Sequence, residues 1–174
     1  ACPGSGKTRT IIYKIAYELS KLESNKQYII AITYTNRAAD EIKERIELLG
    51  VDTEQLWIGT IHSFCVEWIL KPYHMYLEEL RFGYDIINTN DTENYLVSLC
   101  ASYSTPKKKI TYWDCLCYCF TSEGLKINCT KPTIKETVEL IIYDYYQNLK
   151  EKHEIDYGLI LYYSYCLLKE NQSI

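Results

Sequence analysis

The sequence predicts an α/β fold: a parallel sheet with helices on its faces, carrying a mainly helical insertion. Three observations point there. ACPGSGKTRT at residues 1–10 has the spacing of a phosphate-binding loop and runs directly into an amphipathic helix. Strand-length apolar runs then alternate with helical patterns as far as residue 70. From Lys71 onward such runs become scarce while helical periodicity continues.

The first element is the loop. Ala1-x-x-x-x-Gly6-Lys7-Thr8 fits the Walker A pattern, with Ala in the first small position. In such a loop Gly4 and Gly6 let backbone N–H groups turn inward around phosphate oxygens, Lys7 reaches the β- and γ-phosphates, and the Thr8 hydroxyl is a Mg²⁺ ligand. The following helix aims its N-terminus at the same anion. Its apolar stripe is Ile11, Ile12, Ile15, Ala16, Leu19 and Leu22, and it is expected to end near Glu23-Ser24-Asn25. A loop of this type hangs between a buried strand and a helix, so a chain that begins inside it is expected to be part of a larger protein.

YIIAITY at 28–34 reads as a parallel strand covered on both faces. A helix follows, with Thr35 or Asn36 as cap and Gly50 as stop. Ala38, Ala39, Ile42, Ile46 and Leu49 form its inner face, and Glu41 and Arg45 pair across one outer turn. LWIG at 56–59 is a second strand, leading through Thr60-Ile61-His62-Ser63 into an apolar helix from Phe64 to Leu70.

Beyond it, segments near 91–103 and 133–152 read as helices, the first capped by Asn90 or Asp91. The stretch 104–132, with two prolines and the run Lys107-Lys108-Lys109, has the weakest pattern. Residues 71 to about 154 are therefore expected to form the insertion.

Composition bounds the function. An apolar fraction of 47% in 174 residues supports a real core. A net charge of −4 argues against a large basic surface for duplex nucleic acid, but single strands can be held by stacking and a few phosphate contacts. The lysine run reads as a solvated loop. The eight cysteines contain no Cys-x-x-Cys pair, so reduced buried thiols are expected and a metal cluster is not. Cys115-x-Cys117-x-Cys119 would share one face if it were a strand. No run approaches a membrane span and no signal peptide precedes the loop, which predicts a cytoplasmic protein. Most of the 18 tyrosines are expected to pack as amphipathic rings.

Ligand-binding groups in a parallel α/β sheet gather beyond the carboxyl ends of its strands. Here two strands end in Thr33-Tyr34-Thr35-Asn36 and Thr60-Ile61-His62-Ser63. Small hydroxyls and helix N-termini suit a phosphate backbone, Tyr34 could stack on a base, and His62 by itself reads as a local hydrogen-bonding group.

These residues carry a resemblance. AxPGSGKT, then AITYTNRAADEIKERI, then IGTIHSFC resemble motifs I, Ia and Ib/Ic of the superfamily 1 DNA helicases of the UvrD/Rep/PcrA type. TNDTENYLVSL at 89–99 is similar to the segment entering the helical 1B insertion of that family, and IIYDYYQNLKEKHEIDYGLIL at 141–161 to the one leaving it. The resemblance implies a RecA-like P-loop sheet, incomplete here. Residues 1–70 would be the first part of domain 1A, 71–154 a 1B-like insertion, and 155–174 a return to 1A that stops before the Walker B strand. It implies that Gly4, Ser5, Gly6, Lys7, Thr8 and Arg9 bind ATP, with Mg²⁺ on Thr8. Thr33, Tyr34, Thr35, Asn36, Thr60, His62 and Ser63 would face single-stranded DNA, His62 as a backbone or structural contact. The partners so implied are single strands, junctions with duplex, and the remaining helicase domains, with movement 3′ to 5′ and a role such as DNA repair.

The departures from the family pattern are Cys2 for a common Gly, Tyr34 for Phe, Arg37 for Lys, and Ile61 for Phe. Gly158 and Leu159 replace two acids of an Asp-Phe-Asp-Asp block, leaving Asp156 as its acid.

Hydrolysis also needs a second Mg²⁺ carboxylate on a buried strand, a group that positions water, and an arginine. No apolar strand ending in Asp-Glu occurs, and Asp144 sits in a helical pattern. The expectation is a parent ATP-dependent DNA helicase whose 174-residue piece does not itself turn over ATP. The alternative is a non-catalytic remnant that keeps the scaffold as a nucleotide or partner docking surface. A small-molecule kinase or GTPase is disfavoured, because neither an arginine lid nor an Asn-Lys-x-Asp block occurs.

Overall fold

The computed structural model describes residues 6–171, which divide into two compact units meeting at Phe64/Cys65. In the first, helix α1 (Lys7–Leu19) is followed by strand β1 (Ile29–Thr33), helix α2 (Asn36–Glu47), strand β2 (Leu56–Thr60) and the single turn α3 (Ile61–Phe64). The two strands pair in parallel, with Ile29 beside Leu56 and Thr33 beside Thr60. Parallel neighbours need a crossover, and α2 supplies it.

The core of this unit is Ile12 and Ile15 of α1 against Ile42 and Ile46 of α2, closed by Leu19, Ile29, Ala31, Leu56 and Ile58. The period of 3.6 on the helices meets the period of 2 on the strands, so alternate strand residues face the helices. Ile30 and Ile32 point the other way and remain 42% and 49% exposed. The second covered face expected for β1 is open among the described residues. Among the described residues α1 and α2 pack on one face, and an apolar run does not say from which side it will be covered. Leu49 is likewise exposed, because α2 has already ended. Glu41 and Arg45 form the expected ion pair at 2.6 Å.

The second unit opens with a π-helical segment (Cys65–Leu70), where an ordinary helix was expected, and a short turn α4 (Lys71–Tyr73). Two 3₁₀ turns (His74–Tyr76 and Glu78–Leu80) lead to strand β3 (Asp85–Ile86) and helix α5 (Thr89–Tyr103). Asn88, and neither Asn90 nor Asp91, caps α5: its side chain accepts from the N–H groups of Asn90 and Asp91, while Asp91 returns a bond to the Asn88 N–H. This reciprocal box satisfies N-terminal donors that a cap one turn later would leave bare.

Residues 104–132 hold a 3₁₀ turn (Tyr112–Cys115) and a hairpin of β4 (Tyr118–Thr121) and β5 (Gly124–Ile127). The three cysteines of 115–119 therefore do not share a strand face: Cys115 is buried in the turn and Cys119 is exposed on β4. The chain ends with helix α6 (Lys135–Lys152), strand β6 (Glu154–Ile155) and helix α7 (Tyr157–Glu170). Strand β6 pairs in parallel with β3, and His153 terminates α6 with a left-handed φ of 55°. The core of this unit includes Leu96, Val138, Ile141, Ile142, Leu149, Ile160 and Leu167.

At its centre lies Asp156, 4% exposed. One carboxylate oxygen accepts the Leu159 N–H at 2.8 Å and caps α7. The other accepts the hydroxyls of Tyr145 at 3.0 Å and Tyr146 at 3.2 Å, and Tyr145 Oη also lies 3.2 Å from Thr92 Oγ1. Burial and the Asp156 charge push both tyrosine hydroxyls far above the ordinary phenol range, so they remain protonated donors. Helices α5, α6 and α7 are thus tied through one anion. Gly158 explains a departure from the family block: a Cβ there would lie 3.2 Å from the Phe120 ring and 3.3 Å from Asp156. The missing side chain lets Phe120 of the hairpin reach α7, where it stacks on Tyr162 at 4.8 Å.

Among the described residues no helix is long and apolar enough to cross a membrane, and no group of three metal-ligating side chains comes together.

Candidate functional site

The loop residues Gly4 and Ser5 lie outside the described residues. Gly6 caps α1 with φ 77° and ψ 9°, a left-handed conformation that costs glycine nothing and a side-chain-bearing residue about 1 kcal/mol. Nothing lies where a Cβ would stand, so the demand at Gly6 is conformational and not steric. The first helical bond runs from the Thr10 N–H to the Gly6 carbonyl at 3.0 Å. Lys7, Thr8 and Arg9 therefore form the opening turn, whose N–H groups and dipole favour an anion. Lys7 and Arg9 are exposed, Thr8 is half-buried, and the Arg9 guanidinium sits 5.6 Å from the Tyr13 ring centre.

Helix α1 packs along β1 and feeds it through residues 20–28, so it runs back along the strand and its N-terminus lies toward the strand's carboxyl end. At the opposite end Gln55 fixes the connection, its amide donating to the carbonyls of Ser24 (2.8 Å) and Gln27 (2.6 Å).

The two strand ends come together because of register. Thr33 stands beside Thr60, and Thr33 Oγ1 donates to the Thr35 carbonyl at 2.9 Å, with the Gly59 carbonyl 3.4 Å away. Thr35 caps α2, accepting the Ala38 N–H at 3.2 Å, so the choice left open between Thr35 and Asn36 falls on Thr35. Between them Tyr34 is 98% exposed. A ring that buries almost none of itself contributes nothing to this core, and its whole face is open to a partner. Asn36 is exposed on the first turn of α2.

On the neighbouring strand, Thr60 and Ser63 share a hydroxyl contact of 2.9 Å, and Thr60 Oγ1 accepts the Ser63 N–H at 3.2 Å. That pair fixes the turn carrying His62, whose ring is partly buried and whose pKa burial lowers, favouring the neutral imidazole. A neutral ring with one N–H suits a hydrogen bond to an ester oxygen better than a strong ion pair. Gly59 is required by approach: a Cβ would meet the Trp57 ring at 2.5 Å, and Trp57 packs edge-on against Phe64. Neither Gly59 nor Trp57 was singled out from sequence, and a glycine two residues after a tryptophan on one strand face was the available signal. Asp156 was also missed as a buried anion.

The first unit thus presents a parallel strand pair, a glycine-capped helix N-terminus bearing Lys-Thr, and two hydroxyl-rich strand ends set side by side. The chain belongs to the family described as UvrD/REP helicase N-terminal domain, whose model matches residues 1–174. It is similar to the ATP-dependent DNA helicase PcrA of Staphylococcus aureus (strain Mu50 / ATCC 700699), with 35% identity over 107 residues, covering 61% of this chain and 14% of that protein. The PcrA of Staphylococcus epidermidis (strain ATCC 12228 / FDA PCI 1200) matches to the same extent. The aligned part thus spans about one-seventh of the length of these relatives.

Proposed function

We propose that this chain is the ATP-binding portion of an ATP-dependent DNA helicase or translocase that moves 3′ to 5′ on single-stranded DNA and works at junctions with duplex. The observation that carries the reading is the parallel register of Thr33 and Thr60, which sets the two polar strand ends side by side. In this reading residues 1–70 form the first part of a RecA-like core, 71–154 an inserted subdomain, and 155–174 the return to the core.

Gly4, Ser5, Gly6, Lys7, Thr8 and Arg9 take the nucleotide. The N–H groups of the α1 opening turn and the Lys7 ammonium meet phosphate charge, and the Thr8 hydroxyl is the chain's ligand for Mg²⁺, which when bound would neutralise charge between phosphates. The fit rests on the left-handed Gly6, which only glycine adopts without strain, and on a half-buried hydroxyl one residue beyond the lysine. Tyr34 stacks on a base, while Thr35, Asn36, Thr60, His62 and Ser63 meet the backbone and Thr33 shapes the turn between them. The exposed Ile30 and Ile32 suit cover by the remaining helicase domains.

The chain by itself is expected to bind ATP without turning it over, since one hydroxyl is only part of a Mg²⁺ site. Titration with a fluorescent ATP analogue and a labelled oligothymidylate tests this. Saturable nucleotide binding lost in Lys7→Ala, with DNA binding lost in Tyr34→Ala, is the expected result. Steady phosphate release stimulated by single strands would refute the inactive-portion reading. Absence of nucleotide binding by a folded chain would favour a non-catalytic remnant.

A further inference from the structure

We propose that Cys100 and Cys115 form an oxidisable dithiol pair that hydrogen peroxide converts into a disulfide, stapling the entry of the β4–β5 hairpin to helix α5. Cys100 lies on the last full turn of α5 and Cys115 ends the 3₁₀ turn after the 104–111 loop. Both are free and buried, and their sulfurs are 3.4 Å apart. A disulfide requires about 2 Å, so the two atoms need to close by a little over ~1 Å along a line they already share. The loop between them has its ends drawn together: Ser104 Oγ accepts the Ile110 N–H at 3.0 Å and donates to the Ile110 carbonyl at 3.3 Å.

The two thiols are not equivalent. Burial raises both, and the Asp114 carboxylate pushes each the same way. Either thiol can donate across the 3.4 Å contact, but Cys100 keeps what little exposure the pair has, 3% against 0% for Cys115, and is the sulfur a peroxide reaches first. Cys100 is therefore the first site of attack. Its sulfur bonds one peroxide oxygen, the O–O bond breaks, and the departing hydroxide takes the Cys100 proton as water, leaving a sulfenic acid. The Cys115 sulfur then attacks that sulfur: the S–S bond forms, the S–O bond breaks, and hydroxide leaves with the Cys115 proton as a second water. Two thiols are oxidised, one peroxide is reduced, and two waters result.

Burial makes the first step slow, because the thiolate is the nucleophile. Proximity makes the second fast, so the sulfenic acid resolves before it can be oxidised further. The cross-link bears on the fold through the chain order. Cys115 is followed within two residues by Cys117 and then β4, whose Phe120 seats against Gly158 and Tyr162.

The test treats the folded 174-residue chain with hydrogen peroxide, blocks remaining thiols with iodoacetamide after unfolding, and maps peptides without reduction. The expected product is a Cys100–Cys115 linked peptide that dithiothreitol releases. Cys117→Ser should keep it and Cys115→Ser should lose it, with dimedone then trapping sulfenic acid on Cys100. The proposal is overturned if Cys100 and Cys115 are both alkylated once the exposed Cys119 is fully oxidised, if Cys115 links mainly to Cys117, or if Cys100 ends as sulfinic acid in the unsubstituted chain. The mapping of the unsubstituted chain decides the matter even if a variant fails to fold.

Discussion

The two units of this chain spend their polar groups in opposite ways. In the first, residues up to Phe64, hydroxyls and one tyrosine ring stand at strand ends in solvent, over a core built on Ile12, Ile15, Ile42 and Ile46. In the second, the conspicuous polar group is buried: Asp156 gathers two tyrosine hydroxyls and a helix N-terminus away from water. Exposed polar groups are available to ligands and stabilise little. A satisfied buried anion specifies packing and is expensive to disturb. The motif-bearing unit is therefore expected to lose function when its polar groups are changed, and the motif-free unit to lose stability.

The strongest break of that contrast is Asp156→Ala. It removes a cap, at about 1 kcal/mol, and takes the carboxylate acceptor from the buried Tyr146 hydroxyl, at about 1–3 kcal/mol, while Tyr145 keeps Thr92 Oγ1 at 3.2 Å. A loss of roughly 2–4 kcal/mol is expected in urea denaturation followed by circular dichroism. Asp156→Asn keeps a capping oxygen and should cost clearly less. Equal losses in the two variants would show that charge, and not acceptor geometry, holds the helices.

Gly158→Asp comes next, and restores a residue type the family pattern carries there. The new Cβ would lie 3.2 Å from the Phe120 ring and 3.3 Å from the Asp156 carboxylate, so overpacking of about 1–3 kcal/mol is expected. The same substitution in a Phe120→Ala background should cost less, because the ring it collides with is gone. A cost unchanged by Phe120→Ala would place the strain on Asp156 and uncouple the hairpin from α7.

Legibility followed the same division. Helix α1, strands β1 and β2, and helix α2 all read out of periodicity, and residue type narrowed the α2 cap to Thr35 or Asn36, because each signal is local. The exposure of Ile30 and Ile32 was not legible, since an apolar run records what must be covered and not what covers it. The hairpin at 118–127 was missed because its strands are four residues each and its turn lacks an Asn-Gly pair; Gly124, at φ 109°, was the one local clue. The π-helical segment at 65–70 has no sequence signature. Asp156 was seen as a surviving acid, but its tyrosine partners lie 10 and 11 residues away across a helix–helix corner. The candidate site was legible in its residues and not in its supports, Gly59 and Trp57, whose contact depends on the strand pleat.

Tyr34→Ala sharpens the contrast from the other side. With 98% of its surface exposed the ring should contribute nothing measurable to stability, within about 0.5 kcal/mol. Its loss should weaken binding of a labelled oligothymidylate by about 1–3 kcal/mol, the range for one stacked base. A destabilised chain with intact DNA binding would move Tyr34 from the site into the fold.

Thr35 is the residue on which the two ledgers meet, and its effect is the smallest. Its hydroxyl caps α2 through the Ala38 N–H, and its carbonyl accepts the Thr33 hydroxyl. Thr35→Ala removes the first bond and leaves the second, since the carbonyl belongs to the backbone. A loss of about 1 kcal/mol is expected from the cap alone, recovered by Thr35→Ser, which restores a capping oxygen. If the hydroxyl also reaches a phosphate, Thr35→Ala should weaken DNA binding beyond what the fraction unfolded explains, and a salt titration should show that loss at every ionic strength, because a neutral hydroxyl releases no counterion. A loss that disappears once binding is corrected for folded protein would leave Thr35 as a cap only, and the phosphate contacts of that strand end to Asn36 and the α2 N-terminus.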